Sequence, residues 1–203
     1  MKMICVGRNY REHARELGNE APGEPILFIK PRTALVQPGR PVYYPDFTKD
    51  LHYECELIVR IAKNGKHIDE RFAHKYFSEI SLGIDFTARD VQQRQKEKGL
   101  PWEIAKAFDS SAVIGEWQTI GEALSPDTAT FELLKNGQSV QRGDARDMIF
   151  TVAKIIAYAS QYFTLQQGDV IFTGTPAGVG PVAIHDRLEG LLQGQKVLDA
   201  DIR

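Results

Sequence analysis

The sequence predicts an α+β fold built on a mixed or antiparallel sheet. Three observations point there. Strand-like apolar runs predominate along the chain. Two Asn-Gly pairs, Asn64-Gly65 and Asn136-Gly137, lie between such runs and signal local hairpins. Only one long stretch, Asp147 to Tyr162, carries helical spacing. The regular alternation of strands and helices that a doubly wound fold needs is missing.

Taken in order, residues 3 to 6 read as a short buried strand. Asn9 to Leu17 has helical composition and stops at Gly18. Pro25-Ile-Leu-Phe-Ile-Lys-Pro is a strand closed by Pro31. Residues 53 to 62 and 66 to 68 flank Asn64-Gly65 as the first hairpin. A short helix over 69 to 77 precedes a strand over 79 to 85. Arg89 to Lys98 is polar, helix-prone and closed by Gly99. The second hairpin joins Phe131-Glu-Leu-Leu-Lys to Ser139-Val-Gln through Asn136-Gly137. In the stretch 147 to 162, Ile149, Val152, Ile155, Ile156, Ala159 and Phe163 repeat with helical period and predict one face packed on a sheet. Asp169-Val-Ile-Phe-Thr is a strand running into a Gly-rich turn, and a last strand lies near Lys196 to Ile202.

Length and composition bound the function. At 203 residues, with 42% hydrophobic and 26% charged residues, the chain reads as one globular domain over 1–203. A net charge of −2 points to neither nucleic acid nor an anionic membrane as partner. No apolar stretch approaches the roughly 20 residues that span a bilayer. The N-terminus reads as a strand rather than a signal peptide. Cys5 and Cys55 lie in strand-like runs, as buried thiols of a reducing compartment do, so the cytoplasm is the expected location. An organelle stays open if a transit peptide precedes this sequence.

The chemistry-bearing residues are few. Glu54 and Glu56 stand two apart in the apolar run Tyr53-Glu-Cys-Glu-Leu-Ile-Val, so on a strand they share a face. Two carboxylates there repel each other and resist desolvation, which a divalent cation would relieve. Asp85 ends a second apolar run, and an all-oxygen set suits a hard ion, Mg²⁺ or Mn²⁺. Each signal alone has a plainer reading. A Glu-x-Glu pair is commonly the solvated face of an edge strand, though Leu51, Tyr53 and Leu57-Ile-Val argue for burial here. His52, on the same face, is either a partner of the pair or a core histidine. Asp85 reads equally as a helix N-cap, and Lys106 as a surface lysine. His13 and Glu16 lie three apart, so a helix places them side by side, either as a charged surface or as a pair able to activate water. Gly174-Thr-Pro-Ala-Gly-Val-Gly fits neither the Walker nor the dinucleotide pattern. It reads as a turn whose N–H groups could take a carboxylate, or as a tight connection.

Six segments in order resemble the fumarylacetoacetate hydrolase superfamily, in its small single-domain branch of acylpyruvases and oxaloacetate decarboxylases. They are Gly7-Arg-Asn-Tyr-x-x-His-x-x-Glu, Pro25-Ile-Leu-Phe-Ile-Lys-Pro, His52-Tyr-Glu-Cys-Glu-Leu, Asp85-Phe-Thr-Ala-Arg-Asp-Val-Gln, Gly99-Leu-Pro-Trp-x-x-x-Lys-x-Phe-Asp, and Gly168-Asp-Val-Ile-Phe-Thr-Gly-Thr-Pro-Ala-Gly-Val-Gly-Pro. The resemblance implies Glu54, Glu56 and Asp85 as Mg²⁺ (or Mn²⁺) ligands. It implies His13 and Glu16 as a water-activating pair on a mobile lid over residues 8–20, and Lys106 as the active-site lysine. Lys30 matches a second lysine near the site. Arg89, Gln92 and Thr175 match substrate-contacting positions, and the Gly174-Thr175 backbone is placed to grip a substrate carboxylate. The implied fold is a mixed-sheet β-roll of the C-terminal-domain type, usually a homodimer. The sequence departs from the family where Gly-Asp is common after Gly-Val-Gly-Pro and this chain has His185-Asp186.

The implied activity is Mg-dependent C–C bond cleavage of a small 2-oxo acid through a metal-bound pyruvate enolate. Acylpyruvate hydrolysis and oxaloacetate decarboxylation both fit that description. The alternative within the resemblance is a hydroxymuconate-type isomerase or decarboxylase of aromatic catabolism. A metal-binding relative without turnover is a different class, and the presence of His13, Glu16 and Lys106 argues against it.

Overall fold

The computed structural model describes residues 1–16 and 21–203. Among these, the strands form three sheets. The largest has seven strands in the order Leu27–Lys30, Met3–Val6, Val170–Phe172, Cys55–Ile61, Phe77–Asp85 and Ala112–Ile114, with Gln118–Thr119 also on Phe77–Asp85. Met3–Val6 runs parallel to Val170–Phe172, and the other pairs in this sheet are antiparallel. A four-stranded antiparallel sheet runs Gln138–Asp144, Thr130–Lys135, Arg187–Leu192, Gln195–Asp201. A small third sheet joins Gly180–Pro181, Leu51–Tyr53 and Thr87–Ala88. This is the mixed-sheet, α+β β-roll expected from the sequence.

Among the described residues four α-helices accompany the sheets: α1 (Arg11–Glu16), α2 (Arg89–Lys98), α3 (Glu103–Lys106) and α4 (Val152–Tyr162). The predicted C-terminal end of the first helix, Leu17 and Gly18, lies outside the described residues. Gly99 closes α2 in the left-handed conformation, φ 63°, as its position after the polar run predicts. Asn136 and Gly137 both take positive φ, 54° and 78°, and make the tight turn of the second hairpin. The buried residues Val152, Ile155, Ile156 and Ala159 of α4 join the main apolar core, which also receives Leu57, Val59, Leu82 and Leu133.

Three expectations need correction. The first hairpin does not form at Asn64-Gly65. Cys55–Ile61 pairs instead with Phe77–Asp85, across a connection containing a 3₁₀ turn, Glu70–Lys75. Gly65 bridges to Leu165, and His67 N–H donates to Ser160 O, so this segment is drawn onto α4 rather than back onto its own strand. The long helix starts at Val152, not Asp147. Asn9 takes the backbone of Ile149 and Phe150 out of helical pairing, and the Thr151 hydroxyl then caps the helix by accepting from Lys154 N–H at 3.2 Å. The run 53 to 62 is not one strand either: it breaks at Glu54, between the small sheet and the large one.

The unusual C-terminal segment keeps its turn. His185 adopts φ 77°, the left-handed region that glycine fills without strain. Asp186 accepts from Ala183 N–H at 2.8 Å and Asn136 Nδ2 at 2.7 Å, which ties the turn to the hairpin. His185 is exposed, so its side chain is not what holds the turn. His185→Gly should therefore raise the unfolding free energy by about 0.5–1 kcal/mol by relieving left-handed strain. Urea denaturation tests this, and a loss of stability would contradict it.

Candidate active site

The site lies at one end of the large sheet, where three chain segments finish side by side. Glu54 and Glu56 flank the first residue of Cys55–Ile61, and Asp85 ends the neighbouring strand, its N–H donating to Glu54 O at 2.8 Å. On the other side, Val170–Phe172 runs into Thr173 and Gly174. The Thr173 hydroxyl donates to Leu57 O at 2.8 Å, and Gly174 N–H donates to Glu56 Oε2 at 2.7 Å. Gly174 sits at φ 99°, and a Cβ there would lie 2.7 Å from the Cβ of Asn9, so only glycine brings the N–H this close. Thr87–Ala88 then leads into α2 with Arg89 and Gln92, and α3 delivers Lys106.

All three carboxylates are buried, Glu54 5%, Glu56 1% and Asp85 1% exposed, and one oxygen from each lies within 4.8 Å of the others. Lys106 Nζ donates to Glu54 Oε2 and to Asp85 Oδ2, both at 2.8 Å. Arg89 Nη2 donates to Glu54 Oε1 at 2.7 Å, and its Nη1 to Gln92 Oε1 at 2.9 Å. Thr87 Oγ1 also donates to Glu54 Oε1, at 2.9 Å. Lys30, wholly buried, approaches Asp85 Oδ1 to 2.7 Å. Its hydrogen bonds go elsewhere, to Phe86 O, Ser111 O, Ser111 Oγ and Lys106 O.

These contacts set the charges. Burial opposes ionisation of Glu54, but Lys106 and Arg89 outweigh it and hold the carboxyl well below the usual range. Burial likewise works against the Lys106 ammonium, yet Asp85 and Glu54 keep it firmly cationic. Glu56 is the reverse case. Burial, then Asp85 and Glu54, push its carboxyl far up, and Gly174 N–H offsets only part of this.

The donor set fits a divalent cation. It is all-carboxylate, as hard ions prefer. Asp85 Oδ1 is buried without a hydrogen bond. Glu56 sits where two like charges crowd it, an environment that a dication would invert.

The remaining predicted residues take distinct places. His13 is 2% exposed, with Nδ1 3.2 Å from Glu16 Oε2, and when protonated its charge helps to hold the Glu54 carboxyl down. Glu16 is partly exposed and lies 3.4 Å from Gly178 N. Thr175 Oγ1 donates to Cys55 O at 2.8 Å and accepts from Gln141 Nε2 at 2.9 Å, so the hydroxyl is engaged within the protein. Asp85 is no helix cap, since Ala88 holds that position on α2. His52 turns to Asp50, 2.9 Å away, rather than to the glutamates.

Sequence reasoning gave no role to Asn9, Thr87 or Gln141. Asn9 donates to Phe150 O and Thr173 O, pinning the start of α1 to the strand end beside Glu56. Gln141 accepts from Cys55 N–H and donates to Thr175 and Pro176 O. Asn9 and Thr87 sit inside segments already singled out; Gln141 sits at a register shift in an ordinary-looking hairpin, where spacing carries no signal.

Similarity to known proteins agrees with this geometry. The profile of the fumarylacetoacetate (FAA) hydrolase C-terminal family matches residues 2–202. The mitochondrial oxaloacetate tautomerase FAHD1 of Bos taurus is 42% identical over 95% of this chain and 87% of its own length. The oxaloacetate tautomerase YcgM of Escherichia coli is 40% identical over 97% and 90%. The fold matches the structure of fumarylpyruvate hydrolase from Pseudomonas aeruginosa, in complex with Mn²⁺ and pyruvate, with a TM-score of 0.92 and 39% identity, covering 100% of this chain and 89% of that one.

The charge balance makes a direct prediction. Lys30→Met removes the cation nearest Asp85 Oδ1 and leaves a buried carboxylate short of compensation. In chelator, it should cost about 3–5 kcal/mol of stability, the usual result of breaking a buried pair. Urea unfolding measures this, and a loss below about 1 kcal/mol would show that Lys30 does not balance Asp85.

Proposed function

The chain belongs to the fumarylacetoacetate (FAA) hydrolase C-terminal family, and on that footing we propose that it is a divalent-metal enzyme that cleaves the C3–C4 bond of a small 2-oxo acid, with acylpyruvate hydrolysis as the main reaction. The observation that carries the reading is the buried His13, held on Glu16 and close enough to the carboxylate cluster to influence Glu54. A metal-binding pocket alone needs no such pair.

Glu54, Glu56 and Asp85 would hold Mg²⁺ or Mn²⁺. When bound, the ion supplies Lewis-acid polarisation of the substrate's 2-oxo group. Glu16 orients the His13 imidazole, which takes a proton from water as the oxygen attacks the C4 carbonyl. Collapse of that adduct breaks C3–C4, the electron pair passes to C3, and an acid leaves. Pyruvate forms when C3 regains a proton. Two of the three Lys106 donors are engaged with Glu54 and Asp85, and the third is available for negative charge developing on the substrate. Arg89, Gln92 and the Gly174-Thr175 turn surround the substrate carboxylate. Of the segment 8–20 expected as a lid, residues 17–20 lie outside the described residues, and residues 8–16 act as a cover that excludes bulk water while the pair works.

A second reading is keto–enol exchange of oxaloacetate, favoured by the activity that names the Bos taurus and Escherichia coli relatives. It uses the same bound 2-oxo acid. The two reactions differ in which bond to C3 breaks, C–C or C–H, and only hydrolysis consumes water.

Pyruvate release from acetylpyruvate and fumarylpyruvate, alongside ultraviolet monitoring of oxaloacetate enol, separates them. Release that stops in EDTA and returns with Mg²⁺ or Mn²⁺ supports the proposal. Enol conversion without pyruvate release selects the second reading. In the first case, His13→Ala should lower hydrolysis by roughly 10²–10⁴, the usual worth of a general base, and oxaloacetate decarboxylation far less. Equal losses in both would reject water activation and leave His13 a lid residue.

A further inference from the structure

One buried amide reaches the site from the four-stranded sheet, which supplies neither the carboxylates nor the His13–Glu16 pair. Its strand, Gln138–Asp144, slips register between Ser139 and Gln141. Ser139 pairs with Leu134 and Gln141 with Leu133, so Val140 is an extra residue between them. Ser139 and Gln141 stand two apart and would share a face on a regular strand. The bulge separates them, leaving Ser139 exposed and turning Gln141 inward to 2% exposure.

A buried amide is stable only when both of its ends are paired. Gln141 Oε1 accepts from Cys55 N–H at 3.0 Å, while Nε2 donates to Thr175 Oγ1 at 2.9 Å and to Pro176 O at 3.1 Å. A backbone N–H only donates and a carbonyl only accepts, so the amide has one orientation. Thr175 Oγ1 donates onward to Cys55 O at 2.8 Å. That closes a ring on the one residue standing between Glu54 and Glu56. The bulge also carries the far end of the turn. Gly178 sits at φ 95°, and a Cβ there would lie 2.7 Å from Val140 O and 3.3 Å from Gln141 Cγ, so the turn rests directly on the bulge. Gly178 N–H meets the Glu16 carboxylate at 3.4 Å, and Glu16 Oε2 lies 3.2 Å from His13 Nδ1. Asn9 fixes the start of α1. The seat of Glu16, at the other end of that helix, runs through Gly178 to Gln141.

We infer that Gln141 is a positioning residue, which sets the spacing between the carboxylate cluster and the His13–Glu16 pair. This role rests on the reading of His13 as the base that activates water. Gln141 itself touches no reacting atom. Its loss would free the turn from Cys55 and let the seat of Glu16 move. A misplacement of about 1 Å at a reacting group can cost on the order of 10²-fold in rate.

The variant Q141M keeps the length of the side chain and removes its donors and acceptor. At a temperature where circular dichroism shows it folded, it should lower kcat for hydrolysis of acetylpyruvate or fumarylpyruvate about tenfold or more. Introduced into H13A, where no imidazole is left to aim, the same change should lower kcat by less than about twofold. A kcat within about twofold of wild type, or an equal loss in both backgrounds, would make Gln141 purely structural and overturn the role. Amide hydrogen exchange reads the same claim without turnover. Q141M should speed exchange at Gly178 and across α1 by about tenfold or more, while Phe77–Asp85 keeps its wild-type protection. Unchanged exchange at Gly178 and α1 overturns the role. Should the wild type hydrolyse neither acid, the water-activating reading fails, and exchange alone decides whether Gln141 positions α1. Where Q141M does not fold, Gly178→Ala takes its place with the same outcomes expected, since it keeps the Gln141 ring and displaces only the seat of Glu16.

Discussion

Mutual repulsion among three buried carboxylates is the constraint to which the rest of this structure answers. Two unit charges 4.8 Å apart repel by about 3 kcal/mol at an effective dielectric constant near 20, and Glu54, Glu56 and Asp85 form three such pairs. The total rivals the whole stability of an ordinary domain. Lys106 sits between Glu54 and Asp85, Lys30 lies under Asp85, and Arg89 closes on Glu54. Glu56 is left with one backbone N–H, and it is the carboxyl that burial and its neighbours drive toward the protonated form. The cluster is thus balanced on two of its members and incomplete at the third, where a dication would bind.

Topology explains how such a cluster persists. Glu54, Glu56, Asp85 and Gly174 lie at one end of one sheet because Phe77–Asp85, Cys55–Ile61 and Val170–Phe172 are neighbours in it, and Lys30, Arg89 and Lys106 reach them as side chains from Leu27–Lys30, α2 and α3. Buried polar side chains fix the joints. Asn9 locks the start of α1 to the backbone of Phe150 and Thr173, so the helix bearing His13 and Glu16 takes its position from the strand end beside Glu56. Gln141 does the same for the Thr175 turn from the opposite hairpin. The large sheet thereby fixes the inner residues, and a short helix carries the pair that would handle the proton.

Much of this was legible in the sequence because the informative signals are local. Gly99 ends α2 and Asn136-Gly137 makes its turn because positive φ is a property of the residue itself. The glutamate pair stood out because it interrupts an apolar run. What failed depended on distant partners. Asn64-Gly65 has the same turn chemistry as Asn136-Gly137, but Leu165 and Ser160 capture its flanks, and no local pattern encodes that. The apolar period of Ile149 continues that of α4, yet Asn9, far off in sequence, holds Ile149 and Phe150 out of the helix. Lys30 illustrates the same limit within the site. The resemblance placed it only as a second lysine near the site, and the fold shows it sealed beneath Asp85.

The central claim is that the incomplete charge balance at Glu56 makes this cluster a cation site. Anomalous diffraction from crystals grown with Mn²⁺ tests it most directly. The account predicts one strong manganese peak within bonding distance of oxygens from Glu54, Glu56 and Asp85, at about 2.0–2.2 Å. Full-occupancy manganese elsewhere on the protein, with the three carboxylates still held only by Lys30, Thr87, Lys106, Arg89 and Gly174, would contradict it.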